Sequence, residues 1–241
     1  MALSNSKRFI DAYNQIDNVL RNLYGYKDTM TFSDIVRRSA ALNYVVRKYE
    51  EDLIDFARLR NAIIHKSNGD NIIAEPHADV ADKMQHIARL LTTPPAAYTF
   101  VKSRKVMTFP YDARLRDVVS AISSRGYSNI PIIKDGVIIG VLSNKQIVEE
   151  LGRRFMNKQS ADDFFNNTYA GDILLKESPH YVILKKNATI ESVLNLFQQD
   201  RRLRAVLFTE DGSNIRPPVG IVTMGDLLDL NEKLDDYSQN L

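Results

Sequence analysis

The sequence predicts an α+β multidomain protein. An N-terminal all-α helical bundle over about residues 1–95 precedes a tandem pair of βαββα units over 96–241, the first at about 100–155 and the second at about 168–235. Three observations predict it. A degenerate repeat runs through the C-terminal part, each copy switches from helical to hairpin-like hydrophobic spacing, and the N-terminal stretch carries few glycines and long apolar stripes.

In the N-terminal region, Phe9, Ile10, Tyr13, Ile16, Val19, Leu20 and Leu23 recur at the spacing of one helical face. A second stripe runs through Val45, Val46, Tyr49, Leu53, Phe56, Leu59 and Ile63. Gly25 is placed to end the first helix and Ser33 with Asp34 to start the next, while Ser67, Asn68, Gly69 and Asp70 break the third. A further helix is expected from Ala78 to Leu91. Thr92, Thr93, Pro94 and Pro95 follow it as a boundary, because proline neither donates a backbone hydrogen bond nor tolerates a helix interior.

The stretch around Val106 to Leu151 is written again around Val182 to Leu230. Each copy opens on a short apolar segment and then an amphipathic helix, with Leu115, Val118, Val119 and Ile122 on one face in the first copy and Ile190, Val193, Leu194 and Phe197 in the second. A hairpin follows. In the first copy Ile130–Ile133 and Val137–Leu142 flank Asp135-Gly136, a pair that favours the tight turn between strands. In the second, Ala205–Phe208 and Val219–Val222 are separated by a longer excursion through Ser213 to Pro218. Ser143 or Thr223 then caps a closing helix that carries Ile147, Val148 and Leu151, or Leu227, Leu228 and Leu230.

These residues resemble a tandem pair of CBS domains, the regulatory Bateman module, over about residues 100–235. The best-marked element is Gly220-Ile221-Val222-Thr223-Met224-Gly225-Asp226, which is similar to that family's ribose-phosphate signature. The resemblance implies binding of an adenosine-containing ligand: AMP, ADP or ATP foremost, with S-adenosylmethionine or a cyclic dinucleotide also compatible. In the first copy, Gly140 and Ser143 are kept but Gln146 stands where the family has its aspartate. The chemistry has its own rationale. Gly220 allows close backbone approach, Thr223 offers a hydroxyl beside exposed helix-start N–H groups, and the Asp226 carboxylate can accept from both hydroxyls of a ribose. Arg201, Arg202 and Arg204 precede the first hairpin strand, where guanidinium groups suit phosphate, with Arg204 the first choice. The same residues also have a purely structural use. Thr223 and Asp226 would serve as helix caps, and the arginines as the solvated end of a helix.

Within the bundle, Leu59-Arg60-Asn61-Ala62-Ile63-Ile64-His65 resembles the signature of the HEPN superfamily. That resemblance implies a metal-independent endoribonuclease working as a homodimer, with Arg60, Asn61 and His65 as catalytic residues and RNA as a partner. A histidine exchanges protons near neutral pH and an arginine stabilises charge on a phosphodiester. On one helix Arg60 and His65 stand about 140° apart, whereas Asn61 and His65 are one turn apart. Many HEPN-like domains are noncatalytic, which leaves a dimerisation or partner-binding role as the alternative. Arg60 would then pair with an acid such as Glu50 or Asp55.

Composition bounds the remainder. In 241 residues, 32 basic and 30 acidic side chains give a formal net charge of +2, which does not argue for strong nonspecific nucleic-acid binding. Zero cysteines exclude disulfides and thiolate chemistry. His65, His77, His86 and His180 lack metal-ligand spacing, so no metal site is expected. No segment has the length of a membrane span and Met1–Arg8 has no signal-peptide core, so a cytoplasmic location with no membrane partner is expected. The combined expectation is a nucleotide-sensing pair whose ligand state controls a helical output domain.

Overall fold

The computed structural model describes residues 3–65, 75–101, 105–174 and 180–237. The expected break at Ser67–Asp70 lies outside these residues. The fold class is the expected α+β, with an N-terminal helical region and two small mixed sheets. The chain divides into two compact units, one made of residues 1–95, 189–195 and 231–241 and the other of residues 96–188 and 196–230.

In the first unit, α1 (Asn5–Tyr24) starts where the Ser4 side chain accepts from the Lys7 amide and ends at Gly25, whose φ of 66° is the left-handed conformation glycine adopts without penalty. α2 (Phe32–Ala40) is capped by Thr31 through the Asp34 amide, two residues earlier than Ser33 and Asp34 suggested. The second apolar stripe does not form one helix. Asn43 caps α3 (Tyr44–Lys48), Tyr49 leaves helical backbone at φ −112° and ψ 21°, and α4 (Glu50–His65) restarts with Glu50, Glu51 and Asp52 in its first turn. Those carboxylates favour the positive end of the new helix dipole, which is why a restart costs little there. α5 (Ala78–Thr92) packs along α1, burying Met84, Ile87 and Leu90 with Phe9, Ile16 and Leu20. Phe9 meets Phe56 edge-on at 5.6 Å between ring centres.

The second unit opens with α6 (Tyr98–Val101). Its first repeat is β1 (Phe109–Pro110), α7 (Leu115–Arg125), β2 (Asn129–Lys134), β3 (Val137–Ser143) and α8 (Asn144–Met156). Two short helices, α9 (Ala161–Asn167) and α10 (Ala170–Leu174), lead to the second repeat: β4 (Tyr181–Lys185), α11 (Ile190–Gln199), β5 (Ala205–Thr209), β6 (Gly220–Thr223), a 3-10 turn at Met224–Asp226 and α12 (Leu227–Asp236). The sheets are ordered β1-β2-β3 and β4-β5-β6, each with a parallel first pair and an antiparallel second pair. α11 and α12 each have one end in either compact unit.

Asp135 at φ 50° and Gly136 at φ 79° give two consecutive positive φ values, the requirement of a type I′ hairpin turn, and so connect Lys134 directly to Val137. Alternation along the strands, shifted by one residue where a bulge in β3 takes the register from Ile132–Gly140 to Ile133–Ile138, sends side chains to two places. Ile130, Ile132 and Leu142 join Leu115, Val118, Ile147 and Phe164 in the core of the first repeat. Ile138 and Val141 point the other way and meet Ala205 and Leu207, so the two sheets share one apolar seam.

The helices that lead into each repeat are exchanged. α10, which leads into the second repeat, covers β3 of the first, and α6, which leads into the first repeat, covers β6 of the second. A Cβ on Gly140 would stand 3.0 Å from Leu174, and one on Gly220 would stand 3.1 Å from both Tyr98 and Val101. Glycine at these matching positions lets the helix side chains settle against bare backbone.

Candidate functional site

Matching turns from the two repeats open onto one cleft of about 480 Å³ in the second unit. The first repeat supplies Ser128 and Asn129 at the entry to β2, and Ser143, Asn144, Lys145 and Glu149 at the start of α8. The second supplies His180 before β4 and Arg201, Arg202, Leu203 and Arg204 before β5, with Thr223, Met224 and Gly225 at and after the end of β6. The volume falls within the roughly 300–1,000 Å³ typical of small-molecule sites.

The two closing turns are built alike. In the second repeat Asp226 Oδ2 accepts from the Thr223 backbone N–H at 2.8 Å and from its hydroxyl at 2.9 Å. In the first, Gln146 Oε1 accepts from the Ser143 N–H at 3.0 Å and hydroxyl at 3.1 Å, while Ser143 Oγ accepts from the Gln146 amide at 3.3 Å. Both are capping boxes, in which a hydroxyl residue and the side chain three positions on satisfy each other's orphan groups. Gln146 is 6% exposed, so an amide where the second repeat has Asp226 keeps the cap while leaving a charge out of a buried position.

Arg204 crosses between the repeats: its guanidinium donates to Ser143 Oγ at 2.9 Å, and its backbone N–H donates to the His180 carbonyl at 2.7 Å. Arg202 lies 3.6 Å from Asp200, and Lys145 lies 3.6 Å from Glu149. Exposed Arg201 has no ion-pair partner among the described residues. The cleft therefore presents several cations against the Glu149 carboxylate, a field that favours an anion.

Of the four binding residues nominated from sequence, Arg204 and Thr223 line the cleft. Asp226 is not among the lining residues and is joined to it through Thr223. Gly220 has a different surrounding from the one expected: its open face is taken up by Tyr98, Val101 and Phe208, so its small size serves helix packing rather than ligand approach. Sequence reasoning passed over Asn144, Lys145 and His180. The repeat itself carried the signal, since Asn144 and Lys145 occupy the places in the first copy that Met224 and Gly225 occupy in the second.

In the first unit, Arg60, Asn61 and His65 all lie on α4. The side chain of His65 lies outside the described residues. The Arg60 guanidinium carbon stands 5.5 Å from the centre of the Tyr13 ring, in cation–π range. Its Nε is buried with no hydrogen-bond partner, and Nη1 reaches Asn61 Oδ1 only at 3.5 Å. The pairing of Arg60 with Asp55 is replaced by Arg58, which donates to that carboxylate at 2.8 Å. Burial pushes the Tyr13 hydroxyl up to about 12, and the Arg60 charge opposes that shift. Asn61 is exposed. Among the described residues, no group of three or more acidic or histidine side chains is placed to hold a metal ion, and no helix is long and apolar enough to cross a membrane.

The CBS domain family model matches residues 101–153 and 170–233. Among solved structures, the chain is similar to a CBS domain-containing protein from Kribbella flavida, at 17% identity over 57% of this chain and 99% of the other, with a TM-score of 0.47. It is also similar to the CBS domain of a CBS domain-containing membrane protein from Sphaerobacter thermophilus, at 17% identity over 63% and 97% with a TM-score of 0.47. The CBS domain of a bacterial CNNM/CorC family Mg2+ transporter in complex with ATP matches at 18% identity over 62% and 94%, with a TM-score of 0.44. Among curated proteins, none matches the chain.

Proposed function

We propose, from the match of the CBS domain family model to residues 101–153 and 170–233, that this chain is a regulatory protein with a tandem pair of CBS domains whose cleft binds an adenosine nucleotide, AMP, ADP or ATP. The observation that carries the reading is the convergence of Thr223, Arg201, Arg202 and Arg204 with the matching turn of the first repeat on one cation-rich cleft. In this reading the arginines and Lys145 take the phosphates, since guanidinium forks match phosphate oxygens in pairs. Thr223 offers its hydroxyl, and Asp226 both holds Thr223 and accepts from the ribose hydroxyls. A nucleoside lacking phosphate would lose the charge-assisted contacts and bind weakly.

The output belongs to the N-terminal helices. One form of the proposal is a HEPN-like, metal-independent endoribonuclease acting as a cytoplasmic homodimer on RNA, with Arg60, Asn61 and His65 at its site. A second form is a noncatalytic, nucleotide-responsive dimerisation or partner-binding protein. The seating of Arg60 over Tyr13, with its Nε buried, favours this second form, because a guanidinium committed to packing is less available to a phosphodiester.

The test is calorimetric titration of adenosine, AMP, ADP and ATP into the full chain, followed by incubation with labelled mixed-sequence RNA in chelator beside His65→Ala. The expected result is saturable binding of at least one phosphorylated ligand and none of adenosine at the same concentration. Equal heats for adenosine and the nucleotides would remove the phosphate-binding role of the arginines. RNA cleavage by the wild type and not by His65→Ala would select the nuclease form, and no cleavage by either selects the partner-binding form.

A further inference from the structure

The helix α3 is five residues long, yet it and the residue after it grip both helices that border the cleft residues in sequence. The Tyr44 backbone N–H donates to Glu191 on α11 at 3.2 Å, and the Tyr44 hydroxyl donates to Asn231 on α12 at 3.0 Å. Arg47 donates to Asn195 on α11 at 3.0 Å, and Asn195 in turn donates to the Leu42 carbonyl at 2.8 Å. Lys48 reaches Asn231 at 2.9 Å and Asp235 at 2.6 Å, and the Tyr49 hydroxyl donates to Asp235 at 3.0 Å. All of these residues belong to the first compact unit. Burial pushes the Glu191 carboxyl up, with the Tyr44 N–H and Arg47 opposing. Moving Glu191 without its partners would strand a half-buried acid.

Chain continuity makes the grip consequential. α11 runs from Glu191 and Asn195 to Gln199, and Arg201, Arg202 and Arg204 follow directly. α12 begins at Leu227, directly after Thr223 and Asp226, and carries Asn231 and Asp235 about one and two turns later. A helix transmits displacement along its axis because its backbone hydrogen bonds leave little room for local stretching. The two helices held in the grip are thus the same two that the phosphate-binding and ribose-binding residues of the proposed site adjoin in the chain.

We infer that α3 is a positioning element for the cleft: the polar grip of Tyr44, Arg47 and Lys48 on α11 and α12 sets how Arg201 and Arg202, in the link from α11 to β5, are presented to the cleft, so nucleotide affinity depends on residues that do not line the cleft. The inference rests on the nucleotide reading of that cleft. By linkage, the dependence runs in both directions, and nucleotide binding tightens the grip by the same free energy that the grip adds to binding.

The experiment uses the full chain and the tightest-binding of AMP, ADP and ATP. Calorimetric affinity and melting temperature are measured for wild type, Arg47→Ala, Lys48→Met and the conservative Lys48→Arg, and amide hydrogen exchange is followed in the wild type with and without nucleotide. The expected result is affinity weakened about tenfold in Arg47→Ala and Lys48→Met, within the usual range of coupling between sites. Lys48→Arg should restore it, and nucleotide should slow exchange at Tyr44–Tyr49. Melting temperatures that fall while affinity stays within about twofold of wild type would reduce α3 to a structural role and overturn the inference. Unchanged exchange at α3 on saturation would overturn it in the wild type alone, whatever the variants do. Failure of the wild type to bind any of the three nucleotides would instead remove the cleft reading, and this inference with it.

Discussion

The two repeats build the same turn from different chemistry. Thr223 is paired with a carboxylate, Asp226, and Ser143 with an amide, Gln146, and in both the side-chain oxygen takes the N–H and hydroxyl of the residue three positions earlier. The local fold therefore asks only for an acceptor at that position. A carboxylate retains a negative charge able to attract two ribose hydroxyls, whereas an amide oxygen offers a neutral acceptor. The difference teaches that the cap and the binding signature overlap without being the same requirement. The first repeat keeps the part that folding needs, and it contributes Ser143, Asn144 and Lys145 to a cleft whose other wall belongs to the second.

Substitutions at matching positions break that comparison apart. The largest effect is expected at Asp226. Asp226→Ala removes the cap acceptor and, in the proposed site, the ribose acceptor, and nucleotide affinity should fall about 100-fold, the scale of losing charge-assisted hydrogen bonds, as read by titration. Retention of wild-type affinity would reduce Asp226 to a helix cap. Next come the matching glycines. A Cβ on Gly220 would crowd Tyr98, Val101 and Phe208 at 3.1–3.3 Å, while the nearest atoms to one on Gly140, at 3.0–3.4 Å, all belong to Leu174. Gly220→Ala should cost about 2 kcal/mol in denaturant unfolding and Gly140→Ala distinctly less, because one leucine can swing aside. Equal costs would show that the two helix–sheet contacts tolerate crowding alike. The smallest effect belongs to Gln146→Ala, which should cost about 1 kcal/mol of stability as a lost cap yet leave nucleotide affinity within about twofold. A large loss of affinity there would give the first repeat a direct part in binding.

Much of this was legible in the chain. Hydrophobic spacing located the repeat helices, and Asp135-Gly136 marked a turn whose two positive φ values only a few residue types accept. Thr223 and Arg204 were legible because a hydroxyl at a helix start and a cation before a strand carry local meaning. Other features were not local. The stripe from Val45 to Ile63 reads as one helix because its apolar spacing survives the interruption at Tyr49, where the helix that Asn43 starts comes to its end and the acidic run Glu50–Asp52 favours the start of another. Gly220 read as a ligand contact because a glycine records that something comes close without recording what. Its neighbours Tyr98 and Val101 lie far upstream, and no short window contains both sides of the contact. The grip of α3 on Glu191, Asn195, Asn231 and Asp235 joins residues well over a hundred positions apart for the same reason.

The exchanged lead-in helices carry a consequence for how the pair comes into being. Since α6 shields the sheet of the repeat it does not precede, and α10 does likewise, neither repeat finished on its own would have its glycine-lined backbone out of water. The boundary drawn by the duplicated sequence is not a boundary of folding. A ribosome that has released only the first repeat has made β3 before the leucine that covers it, and the sheet must wait for Leu174 to emerge; the last strand, β6, must find Tyr98 and Val101, made long before. Such distant closures slow folding and bind the whole pair into one cooperative event. A fragment cut at the repeat junction would accordingly yield two sticky halves rather than two small domains.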